Sequence, residues 1–143
     1  MYLLIIVPIL VGAITQAIKL SIDGIPNNFS WQHLVGDYGG MPSSHAAFVT
    51  SLVTVVGLRE GVGSAAFAIA LVLMIVVLRD AVGFRREIGR NARMTNYLAK
   101  NFIKDKKIKP LTERVGHKPT EVLMGMVLGA ALSALIYFIL III

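Results

Sequence analysis

Cysteine is absent from this 143-residue chain. Disulfides and thiolate metal sites are thereby excluded, and the sequence carries no mark of a redox compartment. Charge is scarce too, at 15% of residues. So is any alternation of apolar with polar positions, which argues against a membrane β-barrel. What fills the chain is apolar: 56% of residues, with a mean hydropathy of +0.75. Four apolar runs without Asp, Glu, Lys or Arg cover residues 1–18, 43–58, 61–78 and 122–143. Three are near the roughly 20 residues that cross a bilayer as a helix, and the second reaches that length with its flanks. A helix satisfies its own backbone in lipid, so continuous apolar runs favour helices. The expected fold is all-α: one domain over 1–143, a polytopic bundle of about four transmembrane helices plus one amphipathic helix. The first run lacks a basic leader and a small-residue cleavage site, so it is read as a retained helix.

The charges that do occur are segregated. Residues 79–118 hold 12 of the 14 Lys and Arg against four acids, so the segment is about +8 and the remainder about −2. The net charge of +6 would suit nucleic acid in a soluble protein, but a cluster between two apolar runs points to the positive-inside rule instead. That rule places residues 79–118 and the 21–40 loop in the cytoplasm, and the 59–60 turn and both termini outside. Lys19, His45, Asp80, Arg85, His117 and Glu121 then fall at the same cytoplasmic face. Within the basic segment Ile88, Ala92, Thr95, Ala99 and Phe102 recur at helical spacing, and Met94, Leu98 and Phe102 form a second row. Arg86, Arg90, Arg93, Lys100 and Lys104 fall largely between them. Two readings stand: an amphipathic helix in the interface against anionic headgroups, or a solvated helix with one charged face. Residues 104–109 read as a flexible basic loop ended by Pro110.

Gly39-Gly40-Met41-Pro42-Ser43-Ser44-His45 enters the second apolar run. Pro42 pre-sets the backbone, Ser43 or Ser44 can cap the helix, and Gly39 and Gly40 allow close backbone approach. Hydroxyls, free helix-start N–H groups and an imidazole together suit a phosphate. An ordinary capped helix start with a spare histidine is the plainer reading. His117 and Glu121 open the last run four residues apart, on one helix face. There a carboxylate can fix the imidazole tautomer and leave the other nitrogen as nucleophile or base; an inert interfacial pair is the alternative. Arg79, Asp80, Arg85 and Arg86 end the third run, where guanidinium groups make a fork for phosphate oxygens but topology alone would also place arginines. Lys19 is a phosphate ligand or a boundary anchor. Gly125, Gly129 and Ser133 permit close helix packing, inside the bundle or across a homodimer, and a homodimer is expected.

Together these residues resemble the type 2 phosphatidic acid phosphatase superfamily, which includes the vanadium haloperoxidases. Lys19, Pro42-Ser43-Ser44-His45 and His117-Lys118-Pro119-Thr120-Glu121 look like its Lys, Pro-Ser-Gly-His and His-x-x-x-Asp motifs in order. The chain is more closely similar, over nearly its full length, to a divergent family of small membrane proteins known as acid phosphatase/vanadium-dependent haloperoxidase-related. Gly39 to His45, Arg79-Asp80-Ala81-Val82-Gly83-Phe84-Arg85-Arg86 and Gly116-His117-Lys118-Pro119-Thr120-Glu121-Val122-Leu123 carry that match. The resemblance implies a metal-independent, cofactor-free hydrolysis of a lipid phosphate, a phosphatidate or an isoprenyl phosphate. In it His117 is the nucleophile, Glu121 orients it, and His45 is general acid and then base. Lys19, Gly40, Ser43, Ser44, Asp80, Arg85 and Arg86 form the phosphate site. The superfamily's Arg six residues before the nucleophile is Leu111 here, so Arg85, Arg86 or Arg114 must substitute. A non-catalytic lipid-phosphate binder or transporter is the other class the same residues would serve.

Overall fold

A computed structural model describes residues 2–23, 40–103, 109–113 and 115–142. Gly39, Lys104 and Arg114, to which the sequence gives roles, lie outside the described residues. The described helices are α1 (Leu3–Asp23), α2 (Ser44–Glu60), α3 (Ala65–Val82), α4 (Phe84–Leu98) and α5 (Pro119–Ile142). A π-helical turn, Ala99–Ile103, extends α4.

Local chemistry sets the helix ends. Ser43 caps α2, its hydroxyl accepting the Ala46 N–H, and Gly61 ends that helix at φ +83°, a left-handed value that favours glycine. Ser64 caps α3 by accepting the Phe67 N–H at 3.1 Å. The expected helix over 61–78 is therefore shifted: it starts after the Ser64 cap and runs on through Arg79 and Asp80. Only Gly83 separates α3 from α4.

The all-α membrane helical fold is as expected, with a difference at α2. Three described helices are long and apolar enough to cross a bilayer: α1, the run from Ala65 to Ile103, and α5. The fourth expected span, α2, has only 17 residues. It is the centre of the bundle, packed against α1, α3 and α5. Ala46, Ala47, Val49, Thr50, Ser51, Val55 and Val56 are buried along it.

Neighbouring pairs fix the directions. Gly57 faces Phe67 and the Thr50 hydroxyl reaches Met74 Sδ at 3.6 Å, so α3 runs antiparallel to α2. Along α5, Gly125 meets Ser43, Gly129 meets Ala47, Ser133 hydrogen-bonds Ser51, and the Tyr137 hydroxyl donates to the Leu58 carbonyl. α5 therefore runs parallel to α2, which brings the starts of both helices to one end. The contact is backbone-close: a Cβ at Gly129 would lie 2.5 Å from the Ala47 carbonyl oxygen. The small-residue stripe of α5 is thus spent inside the chain and gives no ground for a dimer contact.

Candidate functional site

At the end of the bundle where α2 and α5 begin, the backbone is tied together first. The Ser43 N–H donates to the Glu121 carbonyl at 3.1 Å, and the His117 N–H donates to the Ala81 carbonyl at 3.1 Å. These two bonds join α2 to α5, and the segment before α5 to the end of α3. Behind them Ala46, Ala81 and Val122 form a small apolar cluster. The polar residues therefore rest on a packed floor.

The approach to His117 is a glycine device. Gly116 sits at φ +87°, and a Cβ there would meet the Arg86 nitrogen at 2.5 Å. Gly89, one turn further along α4, lies against the Glu113 and Val115 carbonyls, both 2.8 Å from where its Cβ would stand. The strand of chain before α5 is thereby laid flat on the first turns of α4. Sequence reasoning gave Gly116 and Gly89 no role. The Gly116-His117 adjacency was the available signal, since a close backbone approach needs a residue without a side chain.

His117 itself is 4% exposed. Both ring nitrogens are buried and find no hydrogen-bond partner among the described residues. Burial, then the charges of Lys19, His45 and Arg85, push its pKa down to about 4, with Glu121 pulling the other way. The imidazole is therefore neutral near pH 7, so one ring nitrogen has a lone pair free to act. The same influences locate the neighbours: Lys19, His45, Arg85 and Glu121 all lie near enough for their charges to bear on this ring.

Each expected residue has a definite place. Lys19 is buried, which sets it inside the bundle end and not out at the lipid boundary. Ser43 is fully buried and is the α2 cap; Ser44 is half-buried and is the first helical residue. Gly40 is half-buried, and the Met41–Pro42 peptide that follows it is cis. His45 is exposed. Asp80 accepts from Arg85 Nε in an ion pair across the α3–α4 junction, so Asp80 holds a cation and is no phosphate ligand by its own charge. Arg86 is exposed on the outer side of α4, with only its backbone against Gly116. Of the two arginines, Arg85 is the one that bears on His117.

Glu121 takes a different partner from the expected one. Its Oε2 accepts the Lys118 N–H at 3.0 Å, the reach-back half of a capping box, and does not bond the His117 ring. Spacing of four residues put both on one helix face, but His117 precedes the helix, so the i,i+4 geometry does not apply to it.

No metal-binding group of three or more His, Cys, Asp or Glu occurs among the described residues. The donor set here is cations, hydroxyls and N–H groups, which suits an anion.

No solved structure matches the chain. It is similar to the uncharacterized membrane protein YuiD of Bacillus subtilis (strain 168), with 39% identity over 137 residues, covering 86% of this chain and 87% of that protein. A family model matches residues 2–132, and with it the segments around Lys19, His45, Arg85 and His117: the chain belongs to the Divergent PAP2 family.

Proposed function

We propose that this protein is a membrane phosphatase that hydrolyses a lipid phosphate, a phosphatidate or an isoprenyl phosphate, through a phosphohistidine at the cytoplasmic face. The observation that carries the reading is the buried, neutral imidazole of His117 with neither nitrogen engaged, placed among Lys19, His45 and Arg85. A structural histidine buried this deeply ordinarily spends both nitrogens on hydrogen bonds.

In the first step a ring nitrogen of His117 attacks phosphorus and the bond to the lipid oxygen breaks. His45 gives its proton to that oxygen, and the lipid alcohol leaves. In the second step water attacks the phosphohistidine, His45 takes the water proton, and inorganic phosphate departs with the imidazole restored. Lys19, Arg85, the Ser43 and Ser44 hydroxyls and the amides at the start of α2 hold the equatorial oxygens, where charge builds up in the transition state. Gly40 lets the backbone come close, and Arg86 meets the headgroup from outside. α2 and α5 both point their N-termini at this place, so both dipoles favour the anion.

The test is phosphate release by purified protein from vesicles carrying a panel of lipid phosphates, with His117→Ala beside the wild type. The expected result is release by the wild type and none by the variant, with lipid-phosphate binding retained by both. Binding by both without release by either would replace the phosphatase with a binder or transporter.

A further inference from the structure

α4 has three faces, and only one of them is used by the fold. Gly89 and Ala92 are buried, with Gly89 against the 113–115 backbone. On a second arc Phe84, Ile88, Met94, Leu98 and Phe102 are all exposed, from 46% at Leu98 to 74% at Phe102. On the third arc stand Arg86, Arg90, Arg93 and Lys100. The row Ile88, Ala92, Thr95, Ala99, Phe102 read from the sequence thus straddles two faces, since Ala92 turns inward and Ile88 and Phe102 turn outward. Large apolar side chains in a continuous exposed row need cover.

The bundle says what covers them. α4 begins one residue after α3, an apolar helix long enough to cross a bilayer, so a membrane crossed by α3 has its surface at the first turn of α4. Its cations answer an anionic surface: four of them meet two carboxylates, Glu87 paired with Arg90 and Glu113 with Arg93. Where the arcs join, Arg90, Arg93, Met94 and Tyr97 line an open depression. Two guanidinium groups beside an aromatic and an apolar side chain match a lipid phosphate and the start of its acyl chains.

We infer that α4 is an interfacial helix that binds the anionic leaflet of its own membrane, with the Phe84–Ile88–Met94–Leu98–Phe102 arc in the acyl boundary and the Arg86–Arg90–Arg93–Lys100 arc on headgroup phosphates. This rests on the packing and charge of α4 and not on phosphatase activity, so either can fail without the other. It gives the helix a second use, because Arg85, whose charge bears on His117, belongs to the same element. Anionic lipid gathered along α4 is gathered beside the candidate site.

The absence of native cysteine makes the test direct. Full-length Ile88→Cys, Leu98→Cys and Arg90→Cys variants, each with one nitroxide label, are reconstituted into vesicles of phosphatidylcholine alone or with phosphatidylglycerol. The expected result is an oxygen-to-nickel-chelate accessibility ratio several-fold higher at Ile88 and Leu98 than at Arg90. That contrast should grow with phosphatidylglycerol and shrink in high salt. Equal access of the nickel chelate to all three labels would make α4 a solvated helix and overturn the inference. So would dipolar broadening at Leu98 that dilution with unlabelled protein removes, since a second copy would then cover the arc. A contrast indifferent to phosphatidylglycerol and salt would refute the recognition of anionic lipid.

Discussion

The amide of Ser43 donates to the carbonyl of Glu121 across 3.1 Å, so the first residues of two parallel helices are bonded before any ligand arrives. The motif serine and the motif glutamate each hold the other's helix in place through the main chain. Each side chain also accepts a cap hydrogen bond, Ser43 for α2 and Glu121 for α5, which leaves the Ser43 hydroxyl its proton to donate. The frame of the candidate site is thus backbone, and substitutions in it divide into those that move the frame and those that only change its chemistry.

Glu121 separates the two. Glutamine at this position keeps an acceptor for the Lys118 N–H, so Glu121→Gln should fold as well as wild type, while Glu121→Ala should cost about 1 kcal/mol, the scale of a lost helix cap. If the carboxylate charge also steadies the phosphohistidine step, Glu121→Gln should lower turnover by roughly 10²-fold at unchanged thermal stability. Equal turnover in wild type and Glu121→Gln would reduce Glu121 to a cap.

The Asp80–Arg85 pair is partly exposed, with side chains 38% and 29% accessible, so breaking it should cost less than about 1 kcal/mol of stability. Its expected effect is on activity. Asp80→Asn leaves the Arg85 fork unaimed, and Arg85→Lys removes the fork altogether. Both should depress lipid-phosphate turnover by about tenfold or more, the scale of losing one oriented charge-assisted contact, with the melting temperature nearly unmoved. A parallel loss of stability and activity would make the pair a structural strut.

His117 should remain neutral in acid where an ordinary histidine charges. With its pKa down near 4, histidine NMR should show it unprotonated at pH 5.5. The sign for stability follows. The unfolded chain takes up this proton below about 6.5 and the folded one only near 4, so protons favour unfolding in that window. Stability is full above pH 6.5 and falls as the pH drops towards 4, by on the order of 2–3 kcal/mol from this residue. His117→Ala should flatten that part of the stability profile. A titration midpoint at or above 6.5 would show that burial and the neighbouring cations do not hold this imidazole neutral in acid.

The α2–α5 seam should tolerate no added volume. Gly129→Val drives methyl groups into the Ala47 backbone and should lower stability by about 2 kcal/mol or more, as overpacking does. Gly63, with open space where its Cβ would stand, provides the contrast: Gly63→Ala should unfold in detergent at nearly the wild-type temperature. Similar melting temperatures for the two variants would mean that the helices are not in this close contact.

Much of this was legible in the residues. The apolar runs located the helices because lipid allows few other backbone arrangements. Grouping the candidate residues at one end needed only the charge count and strict alternation of crossings. What stayed hidden was short-range geometry. Whether Ser43 or Ser44 would cap α2 depends on where the helix starts, which neither hydroxyl decides alone. Glu121 had two partners in reach, and hydropathy does not choose between them. The direction of the Gly125–Gly129–Ser133 stripe was equally silent, because a small-residue row serves a neighbour in the same chain as well as one in another. Gly89 gave no signal, since its contact joins segments separated in sequence, and Gly116 gave only its adjacency to His117.

The position of α2 has a consequence for how the protein enters the membrane. With Ser44, His45, Thr50, Ser51, Thr54, Arg59 and Glu60 among its 17 residues, α2 is a weak substrate for an insertion machinery that weighs each segment's hydrophobicity. Thr50 and Ser51 find their side-chain partners, Met74 and Ser133, only once α3 and α5 stand beside it. α3 follows after a four-residue turn at 61–64 and is strongly apolar, so α2 must be carried in as the first arm of a hairpin with α3. Its place in the bundle is completed only when α5, which packs against it along its length, has been made. The two histidines of the candidate site are therefore assembled only after α5 has been made, since His45 opens α2 and His117 stands just before α5.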